Sequence, residues 1–233
     1  MNQVISKVGI HCVGPARTGY GAFLQTINSA GRKLSIVKVR DDFGAVDEPL
    51  QLWPDVLTVG AKTEWDDADY NVDTAFNRIA FAASTKRGIK YWEYFNERNG
   101  DWAQQADLYI ALLPRLRAAG LRLCMFNCAS GTPEYPGIDD TAYREIKRAC
   151  KFAIDGGYDA LLGLHEYEST GGTIGRYKVL ADYLADYRAL IPIVITEYGY
   201  ETFPGTAQHM AMLTQNDPLY MRDPRVIGCA DWT

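Results

Sequence analysis

The chain has 233 residues, and 47% of its side chains are apolar, which is enough to bury a large core. Its net charge of −5 comes without a basic stripe, which argues against a nucleic-acid partner. No apolar run reaches the roughly 20 residues that span a bilayer, so we expect no membrane partner.

Strand-like and helix-like patterns alternate along the chain. A strand over Lys7–Gly14 precedes a helix over Gly19–Ala30, which Gly31 ends in the usual position for a C-terminal glycine. The other predicted strands cover Leu34–Arg40, Asp55–Ala61, Ile89–Asn99, Leu121–Asn127, Ala160–Tyr167, Ile193–Glu197 and Val226–Trp232. The other predicted helices cover Val72–Arg87, Trp102–Ala119, a segment from the capping residues Asp139–Thr141 to Ile154, Ile174–Leu190 and Thr206–Leu213.

This alternation indicates the fold class. Strands that alternate with helices are parallel and joined by right-handed crossovers. Eight such units favour a closed α/β TIM barrel, (β/α)8, over an open doubly wound sheet. The phosphate-binding glycine pattern of a dinucleotide fold is also absent after the first strand. Since the chain shows neither a linker nor an internal repeat, we expect one barrel domain over residues 1–233.

The eighth helix of the barrel is predicted to be missing or shortened, because only three residues follow Ala230. Ile227 and Cys229 would then be exposed on the outer face of the last strand, in an apolar patch of the kind that marks an interaction surface. The helix near 207–213, a partner subunit, or residues lost by truncation are possible explanations. We favour partial closure by segment 216–224, in a monomer or weak homo-oligomer.

The ends of the chain and its cysteines give two further expectations. No basic region followed by an apolar stretch opens the sequence, so we expect a cytoplasmic protein unless a signal or fused domain was removed. The five cysteines form an odd set without zinc spacing, and three of them lie in predicted strands. We therefore predict buried free thiols, with no bound metal and no cofactor.

Polar residues collect where the predicted strands end, and active sites of such barrels lie at that face. They are His11, Arg40, Asn96, Glu97, Asn127, His165, Tyr167, Glu197 and Trp232. Two of them, Glu97 and Glu197, are carboxylic acids that end different strands. A pair of facing carboxyl groups is what acid–base and nucleophilic chemistry at an acetal centre requires.

Each candidate also has a structural interpretation. Glu97 would be a solvated loop carboxylate, His165 a hydrogen-bonded core histidine, and Trp232 a cap on the barrel core. For His11 the structural interpretation, a packed strand residue, is the stronger one, and His209 is predicted on a helix surface. Aromatic residues in the predicted loops could stack on sugar rings or simply pack within the loops. These residues are Trp65, Tyr135, Tyr198, Tyr200 and Phe203.

The motifs resemble those of the clan A retaining glycoside hydrolases, the (β/α)8 superfamily that includes cellulases, mannanases and β-glycosidases. The matching residues are Asn96-Glu97 on strand four, His165-Glu166-Tyr167 on strand six, Thr196-Glu197-Tyr198-Gly199 on strand seven, Trp232 on strand eight and Arg40 on strand two. The chain departs from many relatives at strand three, where Ala61-Lys62-Thr63 stands in place of a histidine. The resemblance implies a glycosidase, of the endo-acting type if the loops are short, with an oligo- or polysaccharide substrate.

The resemblance also implies individual roles. Glu97 would be the general acid/base and Glu197 the nucleophile, with Asn96 on the sugar 2-hydroxyl. Tyr167 and Arg40 would hydrogen-bond Glu197, and Trp232 would floor the subsite where the bond is cleaved. His165, His11, Asn127 and Tyr198 complete the candidate substrate-binding set. Retention predicts carboxyl groups roughly 5–5.5 Å apart, whereas about 9 Å would leave room for a water.

A second polar layer is predicted beneath these residues. Glu93 shares a strand face with Glu97 by period two, and Lys38 shares one with Arg40. An unpaired charge inside the barrel would cost several kcal/mol. We therefore predict that Lys38 pairs with Glu93 or with another buried polar group.

Two other function classes remain open at this point. One is a metal-dependent sugar isomerase or epimerase, with Glu97, His165, Glu197 and Asp231 as ligands, which a chelator would inactivate. The other is a non-catalytic carbohydrate-binding barrel, which needs aromatic platforms but not two facing carboxylates. Measured hydrolysis separates that class from a glycosidase.

Overall fold

A computed structural model describes residues 6–14, 19–134, 140–168, 174–200 and 205–232. Eight parallel strands follow one another in sequence order and close into a barrel, with the eighth strand paired to the first. The strands are β1 (Val8–Val13), β2 (Ile36–Arg40), β3 (Leu57–Ala61), β4 (Tyr91–Glu93), β5 (Leu123–Cys128), β6 (Ala160–Glu168), β7 (Ile193–Tyr200) and β8 (Val226–Trp232). The predicted TIM barrel is therefore confirmed.

Seven α-helices surround the described part of the barrel. They are α1 (Tyr20–Ser29), α2 (Asp47–Leu52), α3 (Val72–Thr85), α4 (Trp102–Ala118), α5 (Asp140–Asp155), α6 (Tyr177–Asp186) and α7 (Thr206–Arg222). None of them, among the residues described, combines the length and the apolar character that crossing a bilayer requires.

Two elements differ from the sequence-based expectation. The fourth strand is ladder-paired only over Tyr91–Glu93, although its extended pattern continues to Asn99. The backbone leaves the ladder there and reaches a left-handed conformation at Glu97, whose φ is 52°. The other difference is α2, a six-residue helix between β2 and β3 that the sequence analysis missed. Its length is too short for a helical period to show in the sequence.

The strands bury apolar side chains on both faces, as parallel sheets do. A small cluster inside the barrel is formed by Ile36, Val59, Tyr91, Cys124, Leu161, Val194 and Ala230. A larger cluster fills the space between the strands and the helices. All five cysteines are free, four are buried and Cys12 is half-buried, which confirms the prediction of free thiols.

Three strands contain one extra residue that changes which side chains face inwards. On β7, Leu164 of β6 pairs with Ile195 while His165 pairs with Glu197, so Thr196 is skipped by the ladder. Such a bulge shifts the alternation of side chains by one position. Similar shifts occur on β5 between Met125 and Cys128, and on β8 next to Ile227.

The outer face of β8 and β1 is partly covered. Cys229 is fully buried, so its predicted exposure is wrong, whereas Ile227 is 37% exposed as predicted. Segment 216–222 belongs to the end of α7, where Tyr220 is buried and Asp217 accepts a hydrogen bond from the backbone N–H of Lys7. Between the start of α7 and α1 there is an apolar groove of about 820 Å³. The predicted partial closure by this segment is confirmed at the end of α7, next to Lys7, while the groove beside the start of α7 stays open.

Candidate active site

Two carboxylates meet at the C-terminal rim of the barrel. Glu97 follows β4, and its backbone N–H donates to the carbonyl of Asn127 at 3.0 Å, which ties the end of β4 to β5. Glu197 lies on β7 and faces inwards because of the bulge at Thr196. One carboxylate oxygen of Glu97 and one of Glu197 lie within 4.8 Å of each other. The two carboxyl groups therefore face each other across the rim of the barrel.

Glu197 is buried and surrounded by donors. Lys38 donates to its Oε1 at 3.0 Å, and the hydroxyl of Tyr167 donates to its Oε2. With its amide oriented to satisfy both neighbours, Asn96 donates to Glu197 Oε1 at 3.3 Å and accepts from Arg40 Nη1 at 3.1 Å. Burial raises the pKa of Glu197, but the Lys38 charge, together with the hydrogen bond from Tyr167, outweighs burial and holds that pKa well below its usual range. Glu197 is therefore ionised at neutral pH.

Arg40 does not hydrogen-bond Glu197, although the resemblance implies that it does. Its Nη1 lies 4.0 Å from Glu197 Oε1, beyond hydrogen-bond distance. Its Nε donates to Thr63 Oγ1 at 2.9 Å, and its Nη2 pairs with Asp66. Thr63 belongs to the Ala61-Lys62-Thr63 stretch, so the residues that stand in place of the histidine help to hold Arg40.

Glu97 has a different environment. Its side chain is 41% exposed, and His165 Nδ1 lies 2.8 Å from its Oε1. His165 also lies 3.6 Å from Glu197 Oε2, so one imidazole stands between the two carboxylates. His165 is buried within the barrel, and its position on β6 beside Glu197 follows from the ladder pairing of these two residues. One acid is thus open to a ligand and the other is enclosed by charge.

A cavity of about 500 Å³ opens above the two carboxylates. It is lined by His11, Val13, Arg40, Asn96, Glu97, Ala129, Ser130, Tyr167 and Glu197. His11 is a packed strand residue, as its structural interpretation predicts: its side chain is 1% exposed, at the floor of the cavity, with Nδ1 at 3.8 Å from Glu197 Oε1. Burial and the charge of Lys38 lower the pKa of His11 well below its usual value, so the ring is neutral at neutral pH.

Asn127 and Tyr198, two of the predicted substrate-binding residues, do not reach the cavity. Asn127 is fully buried; its Nδ2 donates to the carbonyl of Phe95 at 3.0 Å, so it supports the end of β4 from below. Tyr198 is fully buried in the outer core, with its ring edge-on to Tyr220. Tyr198 follows the inward-facing Glu197 directly, so alternation places it in the outer core, and Asn127 lies below the cavity at the irregularity of β5.

The remaining aromatic candidates have separate outcomes. Trp65 is buried against Tyr94, so it packs within the core and does not serve as a sugar platform. Tyr200 is half-buried beside the ring of His209. His209 is itself buried, with Nε2 at 2.9 Å from Asp231 Oδ1, which contradicts its predicted surface position. Tyr135, Phe203 and the side chain of Trp232 lie outside the described residues.

Three of the four residues predicted as metal ligands lie close together in the site. Glu97, His165 and Glu197 offer ligand atoms that all lie within 4.8 Å of one another. Both oxygens of Glu197, however, already accept hydrogen bonds from Lys38 and Tyr167, and the ammonium group repels a second cation. Asp231, the fourth predicted ligand, pairs with His209 on the outer side of β8. The donor set therefore does not fit a divalent ion.

Sequence analysis missed two features of this site. Lys38 was predicted to pair with Glu93, and this is confirmed at 2.9 Å, but its contact with Glu197 was not foreseen. The period-two pattern of β2 could have revealed it, since Lys38 and Arg40 face the same interior. Ser130 was also missed; its Oγ accepts a hydrogen bond from the backbone N–H of Tyr167 at 2.9 Å. A serine in a loop gives no comparable sequence signal.

No family model matches the chain, and no curated protein matches its sequence. Solved structures do. The endo-1,4-β-D-mannanase of Thermotoga petrophila superposes with a TM-score of 0.58 at 10% identity, covering 98% of this chain and 88% of the mannanase.

Two further glycosidases superpose over a similar extent. The xylanase 10B of the same organism gives a TM-score of 0.61 at 10% identity, covering 98% of this chain and 82% of that one. The β-mannanase of Thermomonospora fusca gives 0.52 at 13% identity, covering 98% and 78%. At such identities the likeness concerns the fold alone. The predicted resemblance is confirmed at that level: this chain has the (β/α)8 fold of the mannanases and xylanases.

Proposed function

We propose that the protein is a retaining glycoside hydrolase that cleaves β-linked glycans by double displacement. One observation carries the proposal: Glu97, after β4, and Glu197, on β7, present carboxylate oxygens within 4.8 Å of each other at the C-terminal face of the barrel, one enclosed by donors and the other open to a cavity. A nucleophile must be ionised, and the surroundings of Glu197 ensure that. A general acid must reach the leaving group, and Glu97 is exposed to it.

In the first step Glu197 attacks the anomeric carbon. The carbon–oxygen bond to the leaving sugar breaks, and its electron pair goes to the leaving oxygen, which takes the proton of Glu97. His165 lies 2.8 Å from Glu97 Oε1 and orients that carboxyl group. The product of this step is a glycosyl ester on Glu197. Tyr167 and Asn96 lie on either side of the carboxylate and fix its position for attack.

In the second step water resolves the ester. Glu97, now a carboxylate, takes a proton from water as the oxygen attacks the anomeric carbon. The bond between that carbon and Glu197 breaks, and the electron pair returns to the Glu197 carboxylate. Two inversions at the same carbon give net retention. The Asn96 amide, which lines the cavity, is available to hold a sugar hydroxyl group in both steps.

Endo action on a polysaccharide is the preferred form of this proposal. The similar solved structures include a mannanase with mannotriose and a xylanase with xylobiose, so β-mannan and β-xylan are the first substrates to test. The cavity is open, which suits a chain that passes through it. β-Glucan and bacterial exopolysaccharides complete the screen.

The test is release of reducing ends from these four glycan classes, followed by two variants. We expect Glu197→Ala to abolish turnover, because the nucleophile is gone. Glu97→Ala should keep activity on aryl glycosides with good leaving groups, which need no acid in the first step. Activity should also persist with EDTA. Normal turnover by both variants, or inactivation by the chelator, would contradict the proposal.

A further inference from the structure

We propose that Lys38 and Glu93 form a buried charge pair that lowers the barrier for departure of Glu197 from the sugar in the second step. This inference rests on the proposed function and extends it to two residues beneath the cavity. Lys38 acts through Glu197, as a positioning residue, and does not touch the sugar.

The geometry places Lys38 between two carboxylates. Its Nζ lies 2.9 Å from Glu93 Oε2 and 3.0 Å from Glu197 Oε1. The Lys38 side chain is fully buried, and those of Glu93 and Glu197 are 1% and 6% exposed. Arg40, by contrast, is engaged with Thr63 and Asp66. Lys38 is therefore the closest full positive charge to Glu197.

The charge on Glu197 changes during each turnover, and the electrostatic attraction between Glu197 and Lys38 changes with it. The free carboxylate is negative, whereas the glycosyl ester is neutral. When water attacks the anomeric carbon, the bond to Glu197 breaks and negative charge returns to the carboxylate beside Lys38. In a buried site a fixed cation stabilises that developing charge strongly. The same attraction holds the free carboxylate back in the first step, so Lys38 shifts the balance of barriers towards rapid ester breakdown.

Glu93 stabilises the charged form of Lys38 while Glu197 is esterified. A buried ammonium group without a partner costs several kcal/mol, and the ester gives Lys38 no negative partner. Glu93 Oε2 lies 2.9 Å from Lys38 Nζ whether or not Glu197 carries a sugar, so the lysine keeps a carboxylate partner at every stage. Glu93 also reduces the net positive charge that Glu197 experiences. The two residues should therefore have opposite effects on Glu197.

The test compares Lys38→Met, Glu93→Gln and a control, Lys33→Met. Lys33 also pairs with a carboxylate, Asp55 at 2.5 Å, but on an exposed part of the chain. Three quantities are measured: the acid limb of kcat/KM, the pre-steady-state burst of dinitrophenolate, and the titration of Glu197 by carboxyl ¹³C NMR. The substrate is whichever 2,4-dinitrophenyl β-mannobioside, β-xylobioside or β-cellobioside the unaltered protein cleaves.

The pH readout must consider every charged or titratable group that faces Glu197. These groups are His11 on β1, Lys38 and Arg40 on β2, Glu93 on β4, Glu97 after it, and His165 and Tyr167 on β6. Of these groups, only Lys38 and Glu93 are substituted in the test, so the others are the same in all variants.

For Lys38→Met we expect the acid limb and the NMR midpoint of Glu197 to rise by about 1–3 pH units, the shift that follows loss of an adjacent opposite charge. The burst should approach one equivalent of enzyme, with kcat at least about tenfold lower, because ester breakdown is now slow. Glu93→Gln should move the acid limb downwards and reduce the burst. Lys33→Met should change none of the three.

A merely structural role would lower activity in both variants without opposite pH shifts, and that result would overturn the inference. If Lys38→Met does not fold, the double variant Lys38→Met/Glu93→Gln removes both charges, and it must still raise the acid limb and the burst. Failure of the unaltered protein to cleave any glycoside refutes the proposed function instead. The NMR titration needs no turnover, so it separates the two failures: an unmoved Glu197 midpoint refutes the role of Lys38.

Discussion

At the scale of single residues, Glu197 links the charge of the site to the stability of the fold. Its folded-state pKa lies below the value of about 4.3 expected for an unfolded glutamate. Its ionised form therefore contributes stability above about pH 4.3, and this contribution is lost as pH falls towards the folded-state pKa. Acidification should thus weaken the fold partly through one carboxylate in the active site.

The corresponding prediction compares urea denaturation of the unaltered protein and Glu197→Gln between pH 7 and pH 3. The free energy of unfolding should fall more steeply in the unaltered protein, because the variant has no carboxylate to protonate at this position. Asp223, whose pKa Arg225 lowers to about 2, has the same sign and is present in both proteins, so it cancels. Parallel pH dependences would show that Glu197 is not linked to folding in this way.

The residues that could be predicted from sequence are those on regular strands. Lys38 and Glu93 face the interior as period two requires, and their pairing followed from the cost of burying either charge alone. Glu97 and Glu197 were found because both end apolar strands. The position of Asn127 could not be predicted, because nothing in the local sequence marks the irregularity between Met125 and Cys128, whereas the outward position of Tyr198 follows by alternation from Glu197.

At the scale of elements, the end of β4 depends on β5 and β6. Asn127 lies in a recess over Gly163 of β6, where a methyl group would come within 1.8 Å of the Asn127 Oδ1. From that recess, Asn127 holds the carbonyl of Phe95 with its side chain and the N–H of Glu97 with its own carbonyl. A glycine on one strand thus determines where the candidate general acid lies on another.

We predict that Gly163→Ala displaces Asn127 and disorders the end of β4. Overpacking of this kind costs about 1–3 kcal/mol of stability. On substrates that need the acid, kcat should fall more than on dinitrophenyl glycosides, because Glu97 is misplaced while Glu197 is not. Gly157→Ala is the control for stability, since a methyl group there meets no atom within 4 Å and its φ of 62° carries only a conformational cost. Equal activity losses on both substrates would contradict the prediction.

The order of the elements was accessible from sequence, because each strand and each long helix has a clear period. The first and last residues of each element were harder to predict. The helix α7 ends at Arg222, whereas the sequence predicts an end at Leu213. The prediction stops early because Pro218 lies inside the helix, and a proline in a sequence window argues against a helix there. The early departure of β4 from the ladder follows from tertiary contacts with β5, which no window of the sequence contains.

At the scale of the whole molecule, the seam where β8 meets β1 is held by fewer ladder pairs than the junction of β6 and β7. Three residue pairs join these strands, against seven between β6 and β7. The groove between α1 and α7 also leaves part of this seam without a helix over it. Local opening has the lowest free energy where apolar contacts and covered hydrogen bonds are fewest.

We therefore predict that amide hydrogens of β1 exchange with solvent faster than those of β6 and β7. Hydrogen exchange followed by mass spectrometry of peptic peptides measures this directly. β2, which pairs with both of its neighbours over four or five residues, should show intermediate protection. Protection of β1 equal to that of β6 would mean that the seam opens only when the entire barrel unfolds.

The skipped residue on β7 makes the number of residues in this strand critical for the site. A strand has a parity: residues an even number apart share a face. Glu197 stands three positions after Val194, yet both face the interior, because Thr196 inverts the parity between them. Loss or gain of one residue here would exchange Glu197 for a neighbour at the cavity while leaving the composition almost unchanged. Length is therefore as strictly constrained as chemistry in this strand.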